Sequence, residues 1–265
     1  MISAPAHAKI NLALVVGATR SDGLHEVVTI LQRVELADTI SLEVSDELAV
    51  QGFEADTIVR DALVAAAAAA GVAPNWRVGI DKRIPVAAGL GGGSSDAATA
   101  LRLAAELLGE VPPGRLESIA RSLGVDVPFF LDPGPKLGTG DGTTLVGIDL
   151  PQDYTVLLVL PHDETKHSTG EVYSRFDGAP GFEGRRDAVL AISAAGRAAD
   201  LAALPSNDLA RSPISARLRG LGAFRADVSG AGPTVYGLFG ERAAAEHAGR
   251  EVEALGEVWI TTPAW

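Results

Sequence analysis

The sequence predicts an α+β fold in two domains, which cover residues 1–150 and 151–265. Three observations support this prediction. The first half alternates apolar strand candidates with helix candidates, and a glycine-rich run separates one of these strands from the helix that follows it. The elements of the second half follow the order β-α-β-β-α-β, which is the split βαβ or ferredoxin-like pattern.

In the first half, local signals set the ends of several elements. Asp56 is expected to cap a helix that ends before Gly71, and Gly109 is expected to stop a later one. The alanine run within the first helix favours close packing against a neighbour. The predicted strands are Ile10–Val16, Val27–Leu36, Thr39–Val44 and Trp76–Asp81, and the predicted helices are Asp56–Ala70, Asp96–Leu108 and Pro113 to about Gly124.

The second half opens on a buried strand candidate near Pro151. Two of its later strands are joined by a short turn, Gly230-Ala231-Gly232-Pro233. The predicted strands are Thr155–Leu160, Ala226–Ser229, Thr234–Phe239 and Val258–Thr262, and the predicted helices are Asp187–Leu204, Pro213–Leu221 and Glu241–Leu255.

The run from Pro85 to Asp96 is the most informative feature of the chain. Its four glycines and two serines lead into a helix, where backbone N–H groups could bind a polyphosphate. It is not a P-loop, because no lysine follows the glycines. It is not a dinucleotide fingerprint, because Ser94 and Asp96 stand where a third glycine is required. A flexible linker or tight turn is the alternative, although linkers rarely lead directly into an apolar-periodic helix.

Composition and charge exclude several classes of protein. The chain has no cysteine, which removes disulfides, cysteine zinc sites and thiol catalysis and fits a reducing cytoplasm. Its net charge of −12 disfavours nonspecific binding to nucleic acid or to anionic membranes. No stretch reaches the roughly 18 apolar residues of a membrane helix, and no secretory signal precedes the first strand. We therefore expect a cytoplasmic protein without nucleic-acid or membrane partners.

Three separated motifs then align. They are Ala8-Lys9-Ile10-Asn11-Leu12 with Asp22-Gly23-Leu24-His25-Glu26, the glycine run preceded by Asp81-Lys82-Arg83, and Asp227-Val228-Ser229-Gly230-Ala231-Gly232-Pro233-Thr234, with Gly124-Val125-Asp126-Val127-Pro128-Phe129-Phe130 between the last two. This set resembles the GHMP family of small-molecule kinases over nearly the whole chain, and most weakly at about residues 163–200. The resemblance implies an S5-like N-terminal domain, a ferredoxin-like C-terminal domain and an active site in the cleft between them.

The resemblance also implies a reaction. ATP, with Mg²⁺, would phosphorylate the tertiary 2-hydroxyl of a cytidine-diphospho sugar alcohol in the non-mevalonate isoprenoid route. The nucleotide would be bound by Pro85, Val86, Ala87, Ala88, Gly89, Leu90, Gly91, Gly92, Gly93, Ser94 and Ser95, and Ser95 could also contact the metal ion.

Lys9 and Asp126 are the catalytic candidates. Asp126 would accept the hydroxyl proton, and Lys9 would orient the hydroxyl and offset charge on the moving phosphoryl group. The alternative for Asp126 is a turn residue, because Asp-x-Pro is common in turns. The alternative for Lys9 is an edge position with its amine in water.

By the same resemblance the substrate would be held by Asn11, His25, Thr169 and Tyr173. His25 could instead be a surface residue, and Tyr173 a core aromatic of a short helix. The turn Gly230–Gly232 would let the backbone approach the site, or would be a plain hairpin turn. Three positions depart from the family pattern: Leu24 replaces a tyrosine expected to contact the base, His7 replaces a proline, and Asp56 replaces an asparagine near the adenine pocket.

Three other functions compete with this one. A kinase of the same family could act on another small alcohol of the homoserine or mevalonate type. A non-catalytic protein of the same fold could sense nucleotides or sugars, but such a protein would have no need for both Lys9 and Asp126. A nicotinamide-dependent oxidoreductase is excluded by Ser94 and Asp96. The sequence is compatible with a monomer or a homodimer.

Overall fold

A computed structural model of the chain describes residues 1–53, 57–109, 111, 113–163, 169–176, 178, 180–193 and 196–265. The chain divides into two compact units. Unit 1 consists of Met1–Ala8, Leu36–Val86 and Gly91–Pro133, and unit 2 of Lys9–Glu35, Ala87–Leu90 and Gly134–Trp265. The chain passes from one unit to the other at five points, after Ala8, Glu35, Val86, Leu90 and Pro133. The domain boundary near residue 150 stays a prediction.

The strands are β1 (Ile2–Thr19), β2 (His25–Val44), β3 (Ala49–Gln51), β4 (Trp76–Asp81), β5 (Lys136–Thr139), β6 (Thr144–Gly147), β7 (Thr155–Pro161), β8 (Arg225–Val228), β9 (Val235–Phe239), β10 (Gly256–Thr261) and β11 (Pro263–Ala264). The α-helices are α1 (Thr57–Ala70), α2 (Gly92–Leu108), α3 (Pro113–Leu123), α4 (Thr169–Ser174), α5 (Phe182–Ile192), α6 (Pro213–Gly220) and α7 (Arg242–Val252). Short 3₁₀ helices cover Val127–Phe130, Ala198–Ala203 and Glu253–Leu255.

Unit 1 packs three helices beside a small sheet. Residues Thr39–Val44 of β2 pair antiparallel with β4, and β3 pairs parallel with β4 on its other side. Helix α1 packs on α2 and α3 through small side chains, and Ala62, Ala66 and Ala67 are buried. The prediction that the alanine run packs closely against a neighbouring helix is therefore confirmed.

Unit 2 contains a four-stranded antiparallel sheet in the order β10-β7-β9-β8. Helices α6 and α7 pack on it, and Leu157, Leu218 and Val252 belong to the buried cluster between them. The order of these elements along the chain is β-α-β-β-α-β, so the predicted split βαβ pattern is confirmed. Unit 2 also holds a second set of paired strands, in which Thr29–Leu31 of β2 pairs with β5, and β5 pairs with β6.

Several boundaries differ from the sequence prediction. Helix α2 begins at Gly92, four residues before the predicted start at Asp96, because Gly91 caps it with a left-handed backbone at φ 72°. The predicted helix Asp187–Leu204 is wrong. Helix α5 begins at Phe182, after Gly181 at φ 73°, and ends at Ile192. A separate 3₁₀ helix follows, and the Asp200 carboxylate accepts a hydrogen bond from the Arg197 backbone N–H at its start.

Two further predictions concern the ends of elements. Strand β2 runs without a break through the gap predicted between Leu36 and Thr39. The predicted cap Asp56 lies outside the described residues. Within the described part of the chain, every helix is too short or too polar to cross a membrane.

Candidate active site

Lys9 lies inside unit 2 with its ammonium group buried. The residue is 4 % exposed, and Nζ donates a hydrogen bond of 2.7 Å to Oδ1 of Asn11. Side chains two residues apart on a strand lie on the same face, which is why β1 can place these two groups in contact. A lysine with its amine in water is therefore excluded, since a buried ammonium needs polar partners.

The middle of the glycine run lies against Lys9 and the Ser229 turn. The backbone N–H of Lys9 donates to the Leu90 carbonyl oxygen at 2.9 Å. The hydroxyl of Ser229 donates to the Gly89 carbonyl oxygen at 3.1 Å and accepts a 3.3 Å hydrogen bond from the Asn11 backbone N–H. Unit 2 thus brings together parts of all three sequence motifs.

Two glycines are required by this close packing. Gly89 has φ 79°, and a Cβ there would come within 2.7 Å of the carbonyl oxygens of Ser229 and Gly232. Gly230 has φ 59°, and a Cβ there would lie 3.3 Å from Asn11 Oδ1 and 3.4 Å from Lys9 Nζ. The segment joining β8 to β9 is therefore both a connection between strands and a close backbone approach to Lys9.

The second part of the run opens helix α2. Gly91 is its N-cap and, because it has no side chain, it gives the N–H groups of the first turn no side-chain cap. A helix leaves its first N–H groups without intrahelical partners, and they form a ready anion site. Earlier in the run, Ala87 has φ 65° and is the only residue other than glycine with a positive φ in the described chain. Strain of this kind is concentrated at ligand-binding segments.

Of the two serines in this turn, Ser94 keeps part of its surface exposed, whereas Ser95 is 1 % exposed. Ser94 is therefore the better placed of the two to meet a phosphate group from solvent.

A buried ion group brackets the ends of the glycine run in unit 1. Lys82 Nζ donates to Asp38 Oδ2 at 2.6 Å and to Asp96 Oδ2 at 2.8 Å, and both carboxylates are fully buried. The backbone N–H groups of Arg83 and Ile84 donate to the other oxygen of Asp38. Lys82, just before the run, is therefore tied to Asp96, the last residue of the run, on helix α2.

Asp96 has an unusual electrostatic position in this group. Burial raises the pKa of its carboxyl to about 7, although hydrogen bonding to Lys82 opposes the shift. Its Oδ1 atom is buried and has no hydrogen-bond partner in the described part of the chain.

Asp126 lies in unit 1, in the turn between α3 and the 3₁₀ helix Val127–Phe130. It is the N-cap residue of that 3₁₀ helix, but its side chain makes no capping hydrogen bond. Phe129 and Phe130 anchor the turn, because both are buried and their rings meet edge to face at 4.9 Å. The fixed turn leaves the Asp126 carboxylate half-buried. Lys9 and Asp126 belong to different units, and their pairing stays a prediction.

His25 lies in an aromatic cluster of unit 2. Its ring centroid is 5.9 Å from that of Tyr173 and 5.8 Å from that of Phe176. Nδ1 is 2.9 Å from the Gly17 carbonyl oxygen. A carbonyl oxygen can only accept, so this hydrogen bond places the proton on Nδ1 and leaves Nε2 of the neutral ring as an acceptor. Leu24 beside it is 50 % exposed.

Tyr173 is half-buried on the short helix α4 and packs on a small apolar cluster that includes Leu14 and Val16. It is thus both a partly buried core aromatic and a neighbour of His25. Helix α4 begins at Thr169, whose side chain is outside the described residues.

Sequence reasoning missed three participants: Thr29 beside Asn11, Asp38 beside Lys82, and Phe176 beside His25. Asp38 carries no local signal of its role, because it lies in the gap between the predicted strands Val27–Leu36 and Thr39–Val44. Phe176 follows Tyr173 at a spacing of three residues, which places both side chains on one side of a helical turn.

Comparisons with known proteins identify the family of the chain. The families described as "GHMP kinases N terminal domain" and "GHMP kinases C terminal" match residues 57–134 and 213–258. A 4-diphosphocytidyl-2-C-methyl-D-erythritol kinase of Anaeromyxobacter sp. (strain Fw109-5) is 37 % identical, over 93 % of this chain and 85 % of the relative. The chain belongs to the 4-diphosphocytidyl-2-C-methyl-D-erythritol kinase family of GHMP kinases.

A second relative and a solved structure support the same family assignment. The 4-diphosphocytidyl-2-C-methyl-D-erythritol kinase of Corynebacterium efficiens is 39 % identical, over 88 % of this chain and 84 % of the relative. A crystal structure of 4-(cytidine 5'-diphospho)-2C-methyl-D-erythritol kinase is 32 % identical and covers all of both chains with a TM-score of 0.79. A mevalonate kinase structure matches with a TM-score of 0.77 at 12 % identity, which shows the fold alone.

Membership of this kinase family settles the class of the protein. The chain is a kinase with the two-domain α+β GHMP fold, and the family uses ATP as its phosphoryl donor.

Proposed function

We propose that this kinase transfers the γ-phosphoryl group of ATP to the 2-hydroxyl of 4-diphosphocytidyl-2-C-methyl-D-erythritol, a step of the non-mevalonate route to isoprenoid precursors. The observation that carries the proposal is the buried Lys9 ammonium, which Asn11 holds in place while the Lys9 backbone N–H donates to Leu90 in the middle of the glycine run. A fixed cation and a loop of backbone donors are what phosphoryl transfer requires of a protein, since positioning and charge stabilisation provide most of the catalysis.

The glycine run is the proposed polyphosphate site. The N–H groups in the first turn of α2 would donate to phosphate oxygens, and the helix adds about half a positive charge at that end. This local charge matters because the chain as a whole carries −12, which repels a nucleotide polyphosphate at longer range. Pro85, Val86 and the strained Ala87 would shape the approach to this turn.

The proposed reaction breaks the bond between the γ-phosphorus and its bridging oxygen and forms a new bond from that phosphorus to the substrate hydroxyl oxygen. The Asp126 carboxylate would take the hydroxyl proton as the new bond forms. The Lys9 ammonium would stabilise charge on the transferred group. Its hydrogen bond to Asn11 fixes the direction of that ammonium before substrate arrives, so little reorganisation is needed during the step.

Mg²⁺ fits this site as an ion that enters with the nucleotide. In proteins Mg²⁺ commonly binds one or two carboxylates together with substrate phosphates. Within the described residues, no three or more His, Cys, Asp or Glu side chains form a cage for a metal ion. When bound, Mg²⁺ would neutralise phosphate charge, and the hydroxyls of Ser94 and Ser95 are the proposed protein contacts.

His25 and Tyr173 are the proposed contacts for the cytosine base. The Nε2 acceptor of neutral His25 matches the exocyclic amino group of cytosine, which donates hydrogen bonds, and it does not match the carbonyl that uracil has there. The Tyr173 ring offers a face for stacking. Asn11 is a weaker candidate for direct contact, because Nδ2 already donates to Thr29 and Oδ1 accepts from Lys9. Thr169 remains a proposed contact.

The test is a coupled assay of ADP release with a panel of alcohols. We expect turnover with 4-diphosphocytidyl-2-C-methyl-D-erythritol and none above background with homoserine or mevalonate. Leu24, in place of an expected aromatic, is the reason to run the panel. Activity on the cytidyl substrate no higher than that of the Asp126→Asn variant would overturn the proposal, and preference for another alcohol would replace it. We also propose a cytoplasmic location and a monomeric or homodimeric state, which fractionation and mass measurement would test.

A further inference from the structure

Thr29 lies behind the Lys9–Asn11 pair and is connected to it by hydrogen bonds. Asn11 Nδ2 donates to Thr29 Oγ1 at 2.9 Å, and Thr29 Oγ1 donates to the Ala13 carbonyl oxygen at 2.7 Å. Thr29 is 4 % exposed and Asn11 is 6 % exposed. With the Lys9 hydrogen bond, these contacts form a buried chain that runs from Ala13 through Thr29 and Asn11 to Lys9.

The hydrogen bonds from Lys9 to Ala13 are consistent with only one set of donor directions. The Ala13 carbonyl can only accept, so the single Thr29 hydroxyl proton must point to it. The lone pairs of Thr29 Oγ1 then face Asn11, and the Asn11 side chain must present its amino group to them. Oδ1 of Asn11 consequently faces Lys9, where an ammonium with three donors needs an acceptor. Without the Thr29 hydroxyl, the Asn11 amide could turn by 180° and present its own donors to the Lys9 ammonium.

We propose that Thr29 is a positioning residue for the phosphoryl transfer, which acts through Asn11 to fix the Lys9 ammonium. This inference deepens the proposed function and rests on the catalytic role proposed there for Lys9. Thr29 need not contact ATP or the substrate. Its hydroxyl selects one of two orientations of the Asn11 amide, and that orientation holds Lys9 where charge develops on the transferred group.

The rest of the Thr29 environment does not need the hydroxyl. The backbone of Thr29 pairs with Gly138 of β5, and its methyl group packs on Gly138, where a Cβ would come within 2.9 Å of Thr29 Cγ2. Valine at this position keeps the branched shape and the strand pairing and removes only the polar group. Thr29→Val therefore isolates the hydroxyl, and Thr29→Ser restores it.

Steady-state kinetics with ATP and 4-diphosphocytidyl-2-C-methyl-D-erythritol provide the first measurement. We expect Thr29→Val to lower kcat about ten- to a hundredfold, the size of effect that a slight misplacement of a catalytic group produces. Both KM values should change by less than about threefold, and Thr29→Ser should recover most of kcat. Thr155→Val is the matched control, because Thr155 is also buried on a strand of unit 2 but pairs with Phe239, at the end of β9 away from the Ser229 turn.

A double-mutant cycle separates positioning from a general structural role. If Thr29 acts through Asn11, Thr29→Val should cause no further loss of kcat in an Asn11→Ala background. Additive losses, or unchanged kcat in Thr29→Val, would overturn the inference. Melting curves identify variants that fail to fold, and Thr29→Ala is the second variant that removes the hydroxyl if valine is not accepted.

Nitrogen NMR of the free protein provides a measurement that does not depend on the substrate. In the wild type, the Asn11 side-chain amide and the Lys9 ammonium should give signals protected from exchange with water, and Thr29→Val should remove that protection. If the wild type fails to turn over the cytidyl substrate, the proposed function is wrong, and the NMR comparison still decides whether Thr29 positions Lys9. Equal protection in both proteins would contradict the inference.

Discussion

The hydroxyl of Ser229 donates a 3.1 Å hydrogen bond to the carbonyl oxygen of Gly89, and a Cβ on Gly89 would lie 2.7 Å from the Ser229 carbonyl oxygen. This close approach joins the glycine run to the turn after β8. At Gly89, both the backbone conformation and the packing therefore require glycine.

Gly89→Ala should therefore destabilise the protein more than an alanine at a positive-φ glycine that has open space around it. Gly71→Ala is the matched control, because Gly71 has φ 69° and open space where a Cβ would be. A left-handed alanine costs about 1–2 kcal/mol, and overpacking adds about 1–3 kcal/mol at Gly89 alone. Urea unfolding of both variants measures the difference, and equal losses would show that the contact with Ser229 has no effect.

Lys82→Met should destabilise unit 1 by leaving Asp38 and Asp96 buried without their counter-charge. Removing one partner of a buried ion group costs about 3–5 kcal/mol. The exposed pair Arg83–Asp81 provides the control, since Arg83→Met removes a cation that is 67 % exposed and should change the free energy of unfolding very little. Urea unfolding measures the free energy of unfolding of both variants. Equal losses would show that Lys82 stabilises the protein no more than an exposed cation does.

The pH dependence of stability should report the buried Asp96 carboxyl. Its pKa is raised from 3.8 to about 7, mainly by burial, so the folded protein binds this proton more tightly than the unfolded chain does. Stability should then decrease as the pH rises through the window from about 4 to 7. In Asp96→Asn this decrease should be smaller, whereas Asp81→Asn, at an exposed carboxylate, should keep the wild-type slope. Urea unfolding at pH 5 and pH 8 measures both, and parallel slopes for wild type and Asp96→Asn would contradict the assignment.

His25 should decide between pyrimidine bases. With Nδ1 held by the Gly17 carbonyl, neutral Nε2 accepts from an amino group and has no proton to offer a carbonyl. We expect kcat/KM for the cytidyl substrate to exceed that for its uridyl analogue by at least about tenfold, and His25→Ala to remove most of that preference. Preserved discrimination in the variant would assign base selection to other residues.

Sequence patterns predicted the features that depend on local chemistry. Periodicity and glycine positions predict the order of elements in the second half, the strand Trp76–Asp81 and the helix that adjoins the glycine run. Family resemblance singled out Lys9 as a catalytic candidate, and the structure then showed that it is buried. Family resemblance singled out His25, and the structure then supplied its aromatic neighbours.

The remaining features depend on contacts between distant residues. Asp38 meets Lys82 across 44 positions, and Asn11 meets Thr29 across 18. No local pattern specifies such partners, because threonine and aspartate occur in many strands without a buried role. The start of α2 was placed too late because three successive glycines have low helix propensity, and at this site the cap at Gly91 overrides that propensity.

We expect that the buried Lys9 ammonium, and not only the glycine run, makes this chain a kinase for the cytidyl substrate. The most direct test is substrate-dependent ADP release by the wild type and by Lys9→Ala, with folding of each checked by its melting curve. We predict turnover by the wild type and a loss of about a hundredfold to a thousandfold in kcat for the folded variant. Equal turnover by the two proteins would contradict a catalytic role for Lys9.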